Sequence, residues 1–151
     1  MFEHVGKKFY NIFFKSINNL LKNDGLFLLH TIGVVDKPSP PNKFINKYIF
    51  PGGICPSLSQ IVKPIEKTGL VVADTETLIR HYDKTLLSWL ERFMAKKDLV
   101  KDLFDEKFVK MFHFYLGSCA AAFRYKDLVV FQLQIVKNFD TAHPTRDYIY
   151  S

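Results

Sequence analysis

The sequence predicts an α/β layered fold, and three observations carry that prediction. Helix-period and strand-period apolar patterns alternate along the 151 residues, as they do where helices pack on a sheet. The apolar share is 48% against 24% charged, which supports a core and excludes a disordered chain. No apolar run reaches the ~18 residues of a membrane-spanning helix.

The first element is a helix over residues 7–21. Phe9, Ile12, Phe13, Ile17, Leu20 and Leu21 recur at i, i+3, i+4 spacing, with Lys15, Asn18 and Asn19 off that face. Asn23-Asp24-Gly25 stops it, because Asn and Gly tolerate a left-handed cap. Leu26 to Ile32 follows as a continuous apolar run, read as a buried parallel strand. Gly33 to Asn42 carries Pro38, Pro40 and Pro41 and is a loop, since proline removes donors and blocks helix entry. Tyr48 to Gly53 is a turn with apolar anchors.

Ser57 and Gln60 have capping-box spacing and open a second helix. Pro64 is expected to shorten or kink it, and Gly69 ends it. Leu70 to Ala73 reads as a strand. Leu86, Leu90, Phe93 and Met94 then form one helical stripe, with Asp83 a candidate cap. Phe108, Met111, Phe112, Tyr115, Leu116, Cys119 and Phe123 form a longer one. From Asp127 to Lys137, Val129, Phe131, Leu133 and Ile135 alternate with Gln132 and Gln134, the pattern of an edge strand. The tail over 138–151 has no period and is expected to be mobile. Three or four strands make a thin sheet with open edges, and the chain opens on a pattern like the exit of a strand. Both predict further structure upstream.

The net charge of +6 favours anionic partners such as phosphate or acidic lipid headgroups. Lysines are scattered without an Arg-rich block, which argues against nucleic acid as a partner. Cys55 and Cys119 stand far apart, with no spacing that suggests zinc, and no metal is expected. No secretory leader is evident, so a cytoplasmic protein with both thiols reduced is the expectation. The sequence has no GxGxxG, Walker, GxSxG or HExxH motif.

One helix and one strand separate Glu3 from His30. If a strand precedes Glu3, both residues stand at the carboxyl edge of adjacent parallel strands, where open α/β sheets bind ligands. A carboxylate beside an imidazole suits acid–base work. The alternative is a core histidine and a helix N-terminal acid favoured by the helix dipole. Tyr82, just before the Leu86 stripe, is either a donor into a cleft or a packing residue. Cys55 is a nucleophile only with a nearby base, and no pattern supplies one.

Several ordered blocks carry a resemblance: Met1-Phe2-Glu3-His4-Val5-Gly6, Gly25 to Gly33, Ile45 to Gly53, His81-Tyr82 with Lys84-Thr85-Leu86, and Ala122-Phe123-Arg124. Over roughly Met1 to Lys137 the sequence resembles the cyclopropane-fatty-acyl-phospholipid synthases and the related mycolic acid methyltransferases. The resemblance implies the C-terminal part of a Rossmann-like S-adenosylmethionine-dependent methyltransferase fold over 1–137, with inserted lid helices at about 82–123. It implies methyl transfer from S-adenosylmethionine to a cis double bond of an unsaturated phospholipid acyl chain, at the inner face of the membrane. The alkene attacks the sulfonium methyl, a bicarbonate removes a proton from the added methyl, and the ring closes. Carried over by motif, Glu3, His30, Ile32 and Tyr82 are the bicarbonate ligands, and Glu3, His30 and Tyr82 the catalytic residues. The glycine-rich cofactor loop, the acidic ribose ligand and the family's cysteine ligand have no match here. The chain alone is therefore expected to be inactive, with the N-terminal half of the same enzyme as its partner. The alternative is a non-catalytic remnant that acts as a membrane-surface or protein-interaction module.

Overall fold

The computed structural model describes residues 1–40 and 42–150. Pro41 of the predicted loop and Ser151 of the predicted tail lie outside the described residues. A three-stranded sheet forms the centre, in the order β1 (Leu26–Val34), β3 (Leu128–Val136), β2 (Val71–Leu78). Both outer strands run antiparallel to β3. The helices are α1 (Tyr10–Leu20), α2 (Lys43–Tyr48), α3 (Leu58–Glu66), α4 (His81–Ala95), α5 (Lys97–Leu103) and α6 (Glu106–Tyr125).

Strand alternation gives the sheet two unlike faces. On the first, Leu29 of β1 and Phe131, Leu133 and Ile135 of β3 meet Tyr10 and Phe14 of α1 and Ile61 and Ile65 of α3. On the second, only one end is covered: Ile32, Leu78 and Val130 pack under Leu86 of α4 and Leu116, Ala120 and Phe123 of α6. The other end of that face is more polar, with Gln132 between His30 and Glu76, and Gln134 between Leu28 and Asp74.

Several expectations are corrected here. Leu26 to Ile32 is a strand, but its neighbour β3 is antiparallel. Residues 128–136 form the central strand and not an edge. Gln132 and Gln134 suggested solvent because they sit on the polar end of the second face. β2 continues to Leu78, past the predicted Ala73, with a register shift between Val72 and Asp74; its second half, Asp74-Thr75-Glu76-Thr77, has no apolar signal. The face of α1 is rotated from the predicted one. Tyr10 and Phe14 are buried while Phe9, Ile12 and Leu20 are exposed, because Tyr10 counts as polar by pattern yet packs as a ring. Asp83 is no cap. The α4 N-cap is Arg80, in the left-handed region, and Asp83 is buried and accepts from Arg124 Nε of α6 at 2.7 Å.

Other local signals act as read. The capping box at Ser57 closes, with Gln60 Oε1 accepting from the Ser57 N–H at 3.4 Å, and α3 ends two residues beyond Pro64. Gly33 is required sterically: a Cβ there would lie 2.3 Å from the Phe131 ring and 2.6 Å from the Pro56 carbonyl oxygen. Two side chains of the aperiodic tail touch the sheet. Arg146 reaches the Asp74 carboxylate, with Nε 2.6 Å from Oδ2, and Tyr148 meets Gln134. No helix of the described residues is long and apolar enough to cross a membrane.

Candidate active site

The chain begins with a single 3-10 turn, Phe2–His4. Phe2 anchors it: the ring is buried, stacked on Tyr10 at 4.4 Å and tilted against Phe14 at 5.7 Å. The turn lays Glu3 along the outer edge of β1. There Glu3 Oε1 accepts from the Ile32 N–H at 2.7 Å and from the Thr31 hydroxyl at 2.8 Å. The Ile32 N–H points away from β3, so the carboxylate satisfies an edge donor that no strand takes. The Glu3 carbonyl accepts from the Ile54 N–H at 2.9 Å, which brings Cys55 beside the turn. Pro56 is tied in turn to Val34 of β1 at 3.0 Å.

Burial works to raise the Glu3 carboxyl. Hydrogen bonds from its own backbone N–H, the N-terminal ammonium, the Ile32 N–H and the Thr31 hydroxyl outweigh it and hold the carboxyl below its ordinary value. An ionised carboxylate therefore stands in a largely enclosed setting, and its field is felt by the groups around it. Burial, then Glu3, then Cys55 push the Tyr10 phenol up to about 12. Burial, then Glu3 and Cys119, raise the Tyr82 phenol. Both thiols are pushed up to about 11, chiefly by burial, so Cys55 and Cys119 stay protonated and are poor nucleophiles.

The structure bonds Glu3 to the Ile32 N–H and brings the Glu3 charge to bear on Tyr82, but it makes no contact between Glu3 and His30. Alternation along β1 sends Thr31 toward Glu3 and turns His30 to the opposite face, where its Nδ1 meets Gln132 Nε2 at 3.0 Å. The carboxylate–imidazole contact expected from one βαβ step is thus absent. The Thr31 hydroxyl, not the imidazole, bonds the carboxylate. Thr31 and Tyr10 are neighbours of Glu3 that the sequence pattern does not single out. A carboxylate arriving on the buried face of β1 must meet Leu29 or Thr31, and that parity was the available signal. For Tyr10 the signal was a phenol on a helix face otherwise made of Phe and Ile. Among the described residues, no group of three His, Cys, Asp or Glu side chains gathers to hold a metal.

Beside Tyr82 an apolar groove of about 480 Å³ opens between the α2 end of the chain and helices α4 and α6, lined by Phe50, Trp89, Phe108, Phe112, Tyr115 and Leu116 among others. Tyr82 packs on Trp89 and Phe123 at 5.9 and 5.1 Å. Phe108 and Phe112 are stacked at 5.7 Å, and Tyr115 follows at 5.4 Å from Phe112. An aromatic row along α6 thus leads to the Tyr82 side of the site.

A sheet of this order, with helices on one face and a helical pair over part of the other, corresponds to part of the fold of S-adenosylmethionine-dependent methyltransferases. The cyclopropane synthase MmaA2 from Mycobacterium tuberculosis superposes with a TM-score of 0.81 at 29% identity, over 89% of this chain and 52% of that one. The mycolic acid cyclopropane synthase CmaA1, solved with SAH and CTAB, does so with a TM-score of 0.81 at 33% identity and the same coverage. Within that class, the chain belongs to the mycolic acid cyclopropane synthetase family, whose pattern matches residues 1–133. The cyclopropane-fatty-acyl-phospholipid synthase of Escherichia coli is 43% identical over 133 residues, 88% of this chain and 35% of that protein. The chain spans about a third of that relative's length.

Proposed function

We propose that this chain forms the acceptor-lipid side of a methyltransferase that acts on cis double bonds of unsaturated phospholipid acyl chains, yielding cyclopropane products. The observation that carries this reading is Glu3, held ionised against β1, with its charge felt by Tyr82, whose ring packs on Trp89 of the apolar groove. In it, the groove takes the acyl chain, helices α4 to α6 act as the lid, and the enzyme works peripherally at the cytoplasmic face of the membrane.

Bicarbonate fits the donor set present. Glu3 is a carboxylate able to accept its O–H, Tyr82 a phenol able to donate, and the Tyr10 hydroxyl is buried with no hydrogen-bond partner among the described residues. When bound, that ion supplies a base for the proton of the transferred methyl. The chain's own residues do the rest: Thr31 and Ile32 fix the Glu3 carboxylate, Tyr82 presents its phenol between Phe123 and Trp89, and the aromatic groove keeps water from the acyl chain. His30, facing Gln132, remains a proposed ligand by motif alone.

S-adenosylmethionine does not fit the described residues. Among them there is no glycine-rich turn between a strand and a helix to receive it. The donor site is assigned to a complementary segment, the N-terminal half in the longer relatives. A chimera tests this, with residues 1–133 of this chain replacing the matching third of the Escherichia coli synthase. Incubated with labelled S-adenosylmethionine and unsaturated phospholipid vesicles, the chimera should place label in acyl chains, while this chain alone should not. Glu3→Gln in the chimera should slow turnover by about 10²–10⁴-fold, the scale of a lost acid–base group. A folded chimera with no turnover would sink the reading in favour of a non-catalytic binding module.

A further inference from the structure

The basic excess of the chain is unevenly placed. From Lys37 to Ile65 there are four lysines and no Asp or Glu. Two of these lysines, Lys43 and Lys47, lie one helical turn apart on α2, so they share a side of it. Phe44 and Tyr48 share the adjacent side. Phe44 packs edge-on against Phe114 of α6 at 5.1 Å, and Tyr48 lines the apolar groove. The Lys47 ammonium sits 5.0 Å above the Tyr48 ring, which holds its charge at the lip of the groove. Both lysines are exposed, and among the described residues neither has an ion pair. The α5–α6 corner is different: Lys101 and Lys110 are both paired with Glu106, at 3.3 and 2.8 Å. Around the lip, Tyr48, Phe114 and Trp89 are 51%, 59% and 41% exposed. Such half-wet aromatic rings favour a membrane interface.

Building on the lipid-acceptor reading above, we propose that Lys43 and Lys47 form the site for the phosphate of the phospholipid whose acyl chain occupies the groove. An apolar slot ending in two unpaired ammonium groups fits a molecule with an apolar chain and an anionic head. A neutral lipid leaves the two charges unused, and a free phosphate leaves the groove unused. α2 is then the surface that docks on an anionic bilayer.

Trp89 is the single tryptophan of the chain and lines the groove, so its emission reports occupancy without any turnover. The full chain is titrated with phosphatidylcholine vesicles containing phosphatidylglycerol, and Trp89 emission and flotation are read together. One lysine at an anionic surface is worth about fivefold in affinity, so Lys43→Gln with Lys47→Gln should weaken binding by about 30-fold. The same charge change at Lys97 and Lys101 should move it by less than about threefold. Millimolar inorganic phosphate should not displace the chain from vesicles. Equal loss from the two pairs, no loss from the first, or displacement by phosphate would each overturn the assignment. If the Lys43/Lys47 variant binds like the native chain while the chimera still methylates lipid, the headgroup site fails and the acceptor reading stands.

Discussion

The two faces of the sheet spend their aromatic residues differently. On the α1/α3 face, Phe2, Phe14, Ile61 and Ile65 are at most 1% exposed, and the rings interlock from Phe2 through Phe13 and Phe14 to Phe27. On the α4/α6 face, Phe104 and Phe114 stand open, and Phe108, Phe112 and Tyr115 wall a groove that no side chain fills. The first arrangement has the density of a protein interior. The second leaves apolar area in contact with water, which is costly unless a ligand or partner covers it. High Phe content therefore has two meanings in this one chain: a core on one face and a binding surface on the other.

Truncation should separate the two. Phe14→Ala empties a site sealed on all sides and should cost about 3–5 kcal/mol in urea denaturation. Phe108→Ala removes a ring that is partly exposed and should cost about 1 kcal/mol or less, while weakening the Trp89 response to lipid. Equal destabilisation by the two would mean that the groove is an ordinary core, and the contrast would fall.

A smaller effect is expected where the faces meet, at Glu3. Its carboxyl is held below the ordinary value of 4.5 in the folded chain. The unfolded chain binds the proton more tightly, so folding gains stability that is fully present above about pH 4.5 and lost as pH falls through the folded value. Glu3→Gln should therefore destabilise at pH 7, and its deficit relative to the native chain should shrink as pH falls below 4.5. A deficit that stayed constant through that range would mean the carboxylate charge is not what the Thr31 and Ile32 donors hold.

Much of the fold was legible because it rests on local rules. The capped start at Ser57, the strand from Leu26 and the two stripes of α4 and α6 each follow from spacing alone. What spacing could not give was the partner of each element. Residues 128–136 carry two glutamines in alternation, the mark of an edge. The strand is central because those glutamines face a polar patch made by His30, Asp74 and Glu76 from two other strands. The site shows the same limit. The motif blocks singled out Glu3 and Ile32, and the Glu3 carboxylate accepts from the Ile32 N–H. The expected Glu3–His30 contact failed on parity, since adjacent residues of a strand face opposite ways. Thr31, one residue on, faces the carboxylate instead, and Tyr10 was hidden because a phenol on an apolar helix face reads as an interruption.

Tyr10 gives the smallest effect and the sharpest one on what its face is for. The residue is 2% exposed, stacked on Phe2, and its hydroxyl has no hydrogen-bond partner among the described residues. A buried unpaired hydroxyl costs folding free energy, and its ring packs as well without it. Tyr10→Phe should therefore leave the chain as stable as before or more stable, by about 1 kcal/mol, with a midpoint at or above the native one in thermal melts. The same change in the chimera should lower turnover at limiting bicarbonate if the hydroxyl bonds the ion or a water beside Glu3. A clear loss of stability would instead reveal a partner that the hydroxyl already has in the folded chain. Tyr10 would then belong wholly to the packed face, and the boundary between core and site would move toward Glu3.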